Sequence, residues 1–243
     1  MPVFRGGRTI YGESIGILLT DSRFPRIPGD IGNATTFHFP VRLKRVVVPG
    51  SRSGASEEAN PAAVEAYVKA AQELEAEGVR AITTSCGYYT TFQAAMSAAV
   101  SIPVFTSSLL QVPMVARMLP RGKSVGILTI HTRRLTAAVL SAAGITNEAI
   151  AVMGAEDVPE FYNTYPRGAL EVDPERVGTA VVGMVRELLA RRPEIGAIVC
   201  EAINFAPYSA RVQDATGLPW FDIIDLTRHV YSAVVKRRYT GFL

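Results

Sequence analysis

The chain has 243 residues, 48% of them hydrophobic, which is enough for one large or two small domains around a substantial core. Its 25 basic and 22 acidic residues leave a net charge of +3 spread along the chain, so no basic tract for nucleic acid or a membrane surface is present. No apolar run approaches the roughly 18 residues of a membrane span, the N-terminus lacks a signal-peptide core, and the histidines and cysteines show no metal-ligand spacing. A cytoplasmic protein without a metal site is expected, with both cysteines kept as thiols.

Taken in chain order, Ser14-Ile15-Gly16-Ile17-Leu18-Leu19 reads as a first strand, followed by a long connection over 20–42 and a strand over 43–48. The connection carries Asp21, Arg23, Arg26, Asp30 and Asn33 among Pro25, Pro28, Gly29 and Gly32. It is either a stiffened arm that holds charges over a binding site or a solvated surface loop. A helix is predicted over 60–77, with Asn60 as N-cap, Pro61 at the first helical position and Gly78 as its stop. A strand over 79–85, a helix over 90–99 and a short strand over 103–106 complete this half. Ser124-Val125-Gly126-Ile127-Leu128-Thr129 then copies the first strand, at an offset of 124 − 14 = 110. A second long connection over 154–172, with Phe161, Tyr162 and Tyr165, is read as packing rather than chemistry. Asp173-Pro174 opens a helix that runs through Arg191, a strand follows over 195–201, and a last helix falls within 222–238, where Lys236-Arg237-Arg238 suits a helix C-terminus.

Alternating strands and helices, with strands apolar on both faces, imply parallel sheets covered by helices. The fold class is therefore α/β: two pseudo-symmetric domains of roughly four parallel strands each, residues 1–112 plus 223–243 forming the first and 113–222 the second. Ligands in such sheets bind beyond the carboxyl ends of the strands, here in the cleft between the halves.

Ala81-Ile82-Thr83-Thr84-Ser85-Cys86-Gly87-Tyr88 delivers a thiol to such an end. It keeps one gapless register with Ala197-Ile198-Val199-Cys200-Glu201-Ala202-Ile203-Asn204, since 202 − 86 and 219 − 103 both give 116, so the counterpart of Cys86 is Ala202. A thiol at a strand end before a helix meets free N–H groups and the positive end of a helix dipole, which lowers its pKa and would also hold a carboxylate. Cys200 aligns with Thr84, two residues deeper, and reads as core. Ser85, Gly87, Tyr88 and Thr129 stand at strand ends, as does Pro49-Gly50-Ser51. Glu201 and Asn204 either face the cleft or cap the following turn, and His131 follows its strand as a loop residue.

Thr83-Thr84-Ser85-Cys86-Gly87, Phe105-Thr106-Ser107-Ser108-Leu109, Gly126-Ile127-Leu128-Thr129 and Glu201-Ala202-Ile203-Asn204 with Pro207-Tyr208 resemble the aspartate/glutamate racemase superfamily over nearly the whole chain. The resemblance implies two pseudo-symmetric α/β domains, catalysis without cofactor and a small carboxylate as substrate. Its racemases use two cysteines facing opposite sides of the substrate carbon. Here the first carries over to Cys86, whereas the pattern Glu-Cys-Thr-Asn reads Glu201-Ala202-Ile203-Asn204. Substrate-binding positions carry over to Pro49, Gly50, Ser51, Ser85, Gly87, Thr129 and Asn204, and to Asp21, with Tyr88 adding a hydroxyl at the rim.

The implied function is Cys-dependent proton transfer at a carbon next to a carboxylate. It is racemase- or isomerase-like if Glu201 or His131 serves the second face, and a one-face decarboxylase or lyase if nothing does. The alternative is a catalytically silent domain that binds a small carboxylate. Assembly with further copies of the chain is left open.

Overall fold

The computed structural model describes residue 3, residues 6–48 and residues 60–242. Short apolar runs form the strands. In the first half these are β1 (Ile15–Thr20), β2 (Val41–Val46), β3 (Ala81–Thr84) and β4 (Val104–Phe105), with helices α1 (Pro61–Glu77), α2 (Gln93–Ala99) and α3 (Val112–Met118) between and after them. The second half holds β5 (Ser124–Thr129), α4 (Ala137–Ala142), β6 (Ile150–Gly154), α5 (Pro159–Thr164), α6 (Pro174–Arg191), β7 (Ile195–Cys200), α7 (Ser209–Thr216) and β8 (Trp220–Phe221), before α8 (Ile223–Val234). Among the described residues the strands make two four-stranded sheets of the same order, β2-β1-β3-β4 and β6-β5-β7-β8, with every pairing parallel.

The duplication holds at residue level. Leu18 pairs with Thr84 in the first sheet and Leu128 with Cys200 in the second, which are the sequence offsets of 110 and 116. Each central strand then passes into a 3-10 turn, Gly87–Phe92 in one half and Ile203–Tyr208 in the other, again 116 apart.

Local signals explain the long helices. Asn60 accepts from the Ala62 N–H, Pro61 begins α1, and Gly78 ends it at φ +103, where a side chain would be strained. α1 buries Ala63, Tyr67, Ala70, Ala71 and Leu74 along one face. Asp173 caps α6 by accepting from the Glu175 and Arg176 N–H groups.

Several elements differ from the expectation, among them the last helix, which ends at Val234 and leaves Lys236-Arg237-Arg238 beyond its C-terminus instead of ending it. The strand expected over 43–48 lies at Val41–Val46, since it starts directly after Pro40 and aligns Val41 with Ile15. The helix expected over 90–99 begins as the 3-10 turn and becomes α2 only at Gln93. The connection over 154–172 contains α5, which opens on Pro159 and buries Phe161 in the second core.

The last helix returns to the first sheet, where Ile223 and Ile224 share a core with Ile15, Ile17 and Ala81. Asp222 caps it, accepting from the Ile224 and Asp225 N–H groups and from the Trp220 indole. No helix among the described residues is long and apolar enough to cross a membrane.

Burial, then the neighbouring Asp222 charge, pushes the Asp225 carboxyl up to about 6, with Arg228 opposing. A carboxyl raised in the folded state costs stability once it ionises, so the cost is present above about pH 6 and disappears as pH falls towards 4. Asp225→Asn is therefore expected to raise the melting temperature at pH 8 by about 1–3 °C, allowing for the carboxylate's partial exposure, and to leave it unchanged near pH 4. Thermal melts at the two pH values check this; equal effects at both would show that charge is not the cause.

Candidate active site

The strand ends of the two sheets converge on a cavity of about 630 Å³. Thr20 at the end of β1 and Val46 at the end of β2 border it, as do Ser85, Cys86 and Gly87 after β3 and Glu201, Ala202 and Asn204 after β7. Parallel strands drive this convergence, because each ends its hydrogen-bond ladder at the same edge and leaves the following loop to form the site.

Cys86 is 8% exposed and occupies the N-cap of the 3-10 turn Gly87–Phe92. Thr84 fixes the chain just before it: its hydroxyl donates to the Thr106 carbonyl at 2.8 Å and accepts from the Cys86 N–H at 3.4 Å. Ser85 ties this loop to β1, its Oγ accepting from the Thr20 N–H at 2.8 Å. Ala202, the N-cap of the matching turn Ile203–Tyr208, lines the same cavity.

The two loops meet at Gly87 and Glu201. A Cβ at position 87 would overlap both the carbonyl oxygen and Oε1 of Glu201, so only glycine fits this approach. Glu201 is 1% exposed and is held from behind: Thr129 Oγ1 donates to its Oε2 at 2.7 Å, and the Tyr88 hydroxyl lies 2.7 Å from Thr129 Oγ1. Tyr88 in turn accepts from the His131 N–H at 3.1 Å, and the Arg134 guanidinium stacks on its ring at 4.4 Å. Burial and the Glu201 charge keep the Tyr88 phenol well above its ordinary pKa, which leaves it a proton donor.

Of the residues singled out in the sequence, Asp21, Ser85, Cys86, Gly87, Tyr88, Glu201, Ala202 and Asn204 border the cavity. Thr129 does not. It is fully buried, with its hydroxyl bonded on both sides, because the end of β5 lies one layer behind Glu201. His131 does not border it either, since its imidazole turns to Glu156 at 3.8 Å and only its backbone reaches Tyr88. Asp21 lies exposed at the rim, 3.4 Å from Arg45. Pro49, Gly50 and Ser51 lie outside the described residues. Cys200 is 1% exposed, and burial, with Asp222 and Glu201 adding, pushes its thiol up.

The connection after β1 arches over the site. Buried Asp30 accepts from Arg26 at 2.7 Å and from the Asn204 amide at 3.4 Å, and Phe24 meets the edge of Tyr165 at 5.2 Å. Tyr165 and Arg167 bring the connection after β6 into the wall, which the reading of that segment as packing had missed. Tyr67 and Tyr89 were missed as well. Tyr67 follows Ala63 by one helical turn on the buried face of α1, a spacing that signals core from sequence alone. No group of three or more metal-ligating side chains occurs among the described residues.

No family model matches the sequence. Among solved structures, allantoin racemase from Klebsiella pneumoniae superposes with a TM-score of 0.60 at 16% identity, over 95% of this chain and 96% of that one. Arylmalonate decarboxylase gives 0.57 at 12% identity over 91% and 92%. Glutamate racemase from Francisella tularensis gives 0.54 at 12% identity over 94% and 85%. The chain shares the fold of these racemases and of this decarboxylase. Within curated sequences the chain is 29% identical to dimethylsulfoniopropionate lyase 5 of Emiliania huxleyi, over 231 residues and 90% of its own length, and to the dimethylsulfoniopropionate lyase of Durusdinium sp. clade D over 221 residues and 88%. It spans 45% of the length of the former and 73% of the latter.

Two measurements test this geometry. Iodoacetamide is expected to modify Cys86 at least about tenfold faster than Cys200 in the native protein, as resolved by peptide mass spectrometry, because only Cys86 borders the cavity. Preferential labelling of Cys200 would reverse the assignment. Gly87→Ala is expected to cost about 1–3 kcal/mol in denaturant unfolding by forcing the two loops apart; an unchanged midpoint would contradict the close approach.

Proposed function

We propose that this chain is a cofactor-independent lyase that eliminates a leaving group from a small carboxylate, with Cys86 as its base. The observation that carries the reading is the occupancy of two matching turns by Cys86 and Ala202 around one cavity. A thiol serves one face of a bound molecule and a methyl group the other. Racemisation needs a proton removed from one face and another delivered to the opposite face, whereas elimination needs only the removal.

The names of the curated relatives supply the substrate class, a β-sulfonio carboxylate such as dimethylsulfoniopropionate. The Cys86 thiolate takes a proton from the carbon next to the carboxylate. The electron pair of that C–H bond becomes the second bond to the neighbouring carbon, and the C–S pair leaves with the sulfur as neutral dimethyl sulfide. Acrylate remains, and the thiol returns its proton to water. Negative charge grows towards the carboxylate during the step, where backbone N–H groups of the loop after β3 can stabilise it.

In this reading Ser85, Gly87, Tyr88 and Asn204 form the substrate wall, while Asp21 stays at the rim. Thr129 holds Glu201. Glu201 is the group left for the second face, and the residue to change if a substrate undergoes inversion. His131 is left out of the chemistry, since it does not border the cavity and its imidazole faces Glu156 at 3.8 Å.

The test is incubation with dimethylsulfoniopropionate beside amino acids, hydantoins, substituted malonates and maleate in deuterated water. Dimethyl sulfide is read by gas chromatography, and acrylate, exchange and CO2 loss by NMR. Sulfide release is expected from the first compound, falling about 10²- to 10⁴-fold in Cys86→Ala. Decarboxylation or rapid inversion of another compound without sulfide release would replace the lyase by that activity, and undiminished release by Cys86→Ala would remove the base.

A further inference from the structure

The N-terminal half of α1 forms one wall of the cavity, where Ala63 and Tyr67 stand one turn apart. Tyr67 is 1% exposed, and its buried hydroxyl meets no partner with hydrogen-bond geometry, although the neighbouring Tyr89 hydroxyl is close enough to raise its pKa. Among the described residues three buried side-chain groups share this condition, and only Tyr67 borders the cavity. Tyr88 and Tyr165, two other tyrosines on the wall, have their hydroxyls 2.7 Å from Thr129 and 2.8 Å from Tyr208.

A buried donor left unmet is costly, and a fold retains it where something outside the folded chain completes it. Packing prevents Tyr67 from escaping to water. Tyr89 and Phe92 meet its ring at 4.7 and 5.7 Å, with interplanar angles of 68° and 64°. Burial, then Tyr89 and Cys86, raise its pKa well above the ordinary phenol value, so at neutral pH the group keeps its proton and serves as a donor. The partner it suits is an acceptor, and best an anionic one, because a charge-assisted bond is shorter and stronger.

We propose that Tyr67 is a substrate-binding residue, its hydroxyl donating to the carboxylate of the bound acid so that the adjacent carbon is held against Cys86. The assignment rests on the reading of the cavity as a carboxylate site. It adds a contact from α1, an element that no sequence motif marks.

Tyr67→Phe tests it, because the change removes one oxygen and leaves the ring in place. Acrylate, propionate and neutral acrylamide are titrated calorimetrically into the wild-type and variant proteins, and both are melted without ligand. The expected result is a Kd for the two carboxylates raised about 10- to 100-fold, acrylamide unaffected, and a melting temperature unchanged or higher, since an unmet polar group has been deleted. With dimethylsulfoniopropionate the larger change is expected in KM rather than in kcat. Carboxylate affinity within about twofold of wild type would overturn the proposal, and so would a lower melting temperature, which would mean that the hydroxyl already has a partner inside the fold. If wild-type protein binds the carboxylates but releases no sulfide, the lyase reading falls and Tyr67 stands. If it binds no carboxylate, both fall.

Discussion

The close approach of Gly87 to Glu201 is the contact on which the site depends. With no Cβ at 87 the loop after β3 rests against the carbonyl and the carboxylate of the loop after β7, and the strand ends of both sheets can share one cavity. The approach buries the Glu201 carboxylate, and a buried carboxylate without partners would be strongly destabilising. Thr129 and Tyr88 supply the hydrogen-bonded support, one residue from each half, so the chain that steadies the carboxylate also joins the two sheets.

The neighbours on either side of this contact inherit their positions from it. Cys86 precedes Gly87 and Ala202 follows Glu201, and each caps a 3-10 turn at the carboxyl end of a central strand. A duplicated fold thus creates two equivalent stations around one cavity, and side-chain chemistry distinguishes them. A thiol exchanges protons at neutral pH when its surroundings favour the thiolate, whereas a methyl group cannot do so at all. In the proposed reading, the exchange of thiol for methyl at these two stations makes the site one-sided.

Much of the cavity wall comes from the connections rather than from the strands. The arm after β1 is held over the cavity by the Arg26, Asp30 and Asn204 chain and by the contact of Phe24 with Tyr165. Its exposed Arg23, with Arg45 and Arg167, places positive charge at the rim, while the deeper wall is aromatic. In the proposed reading, such a mouth suits a small anion whose apolar part rests on the rings inside.

By itself the sequence determined the alternation of strand and helix, the duplication and its register, the caps of α1 and α6, and the station of Cys86 opposite Ala202. All of these are set by local periodicity, cap chemistry or direct comparison of two segments. The tertiary structure decided which polar groups border the cavity. Thr129 and Ser85 both lie at strand ends, yet packing buries the first behind Glu201 and leaves the second on the wall. His131 follows a strand end but turns to Glu156, a partner 25 residues further along the chain. Tyr67 has the spacing of a core residue, and only the convergence of α1 with the loop after β3 brings it to the cavity with an unmet hydroxyl. Helical spacing fixes the side of the helix on which a tyrosine lies, whereas the partner of its hydroxyl depends on segments distant in sequence.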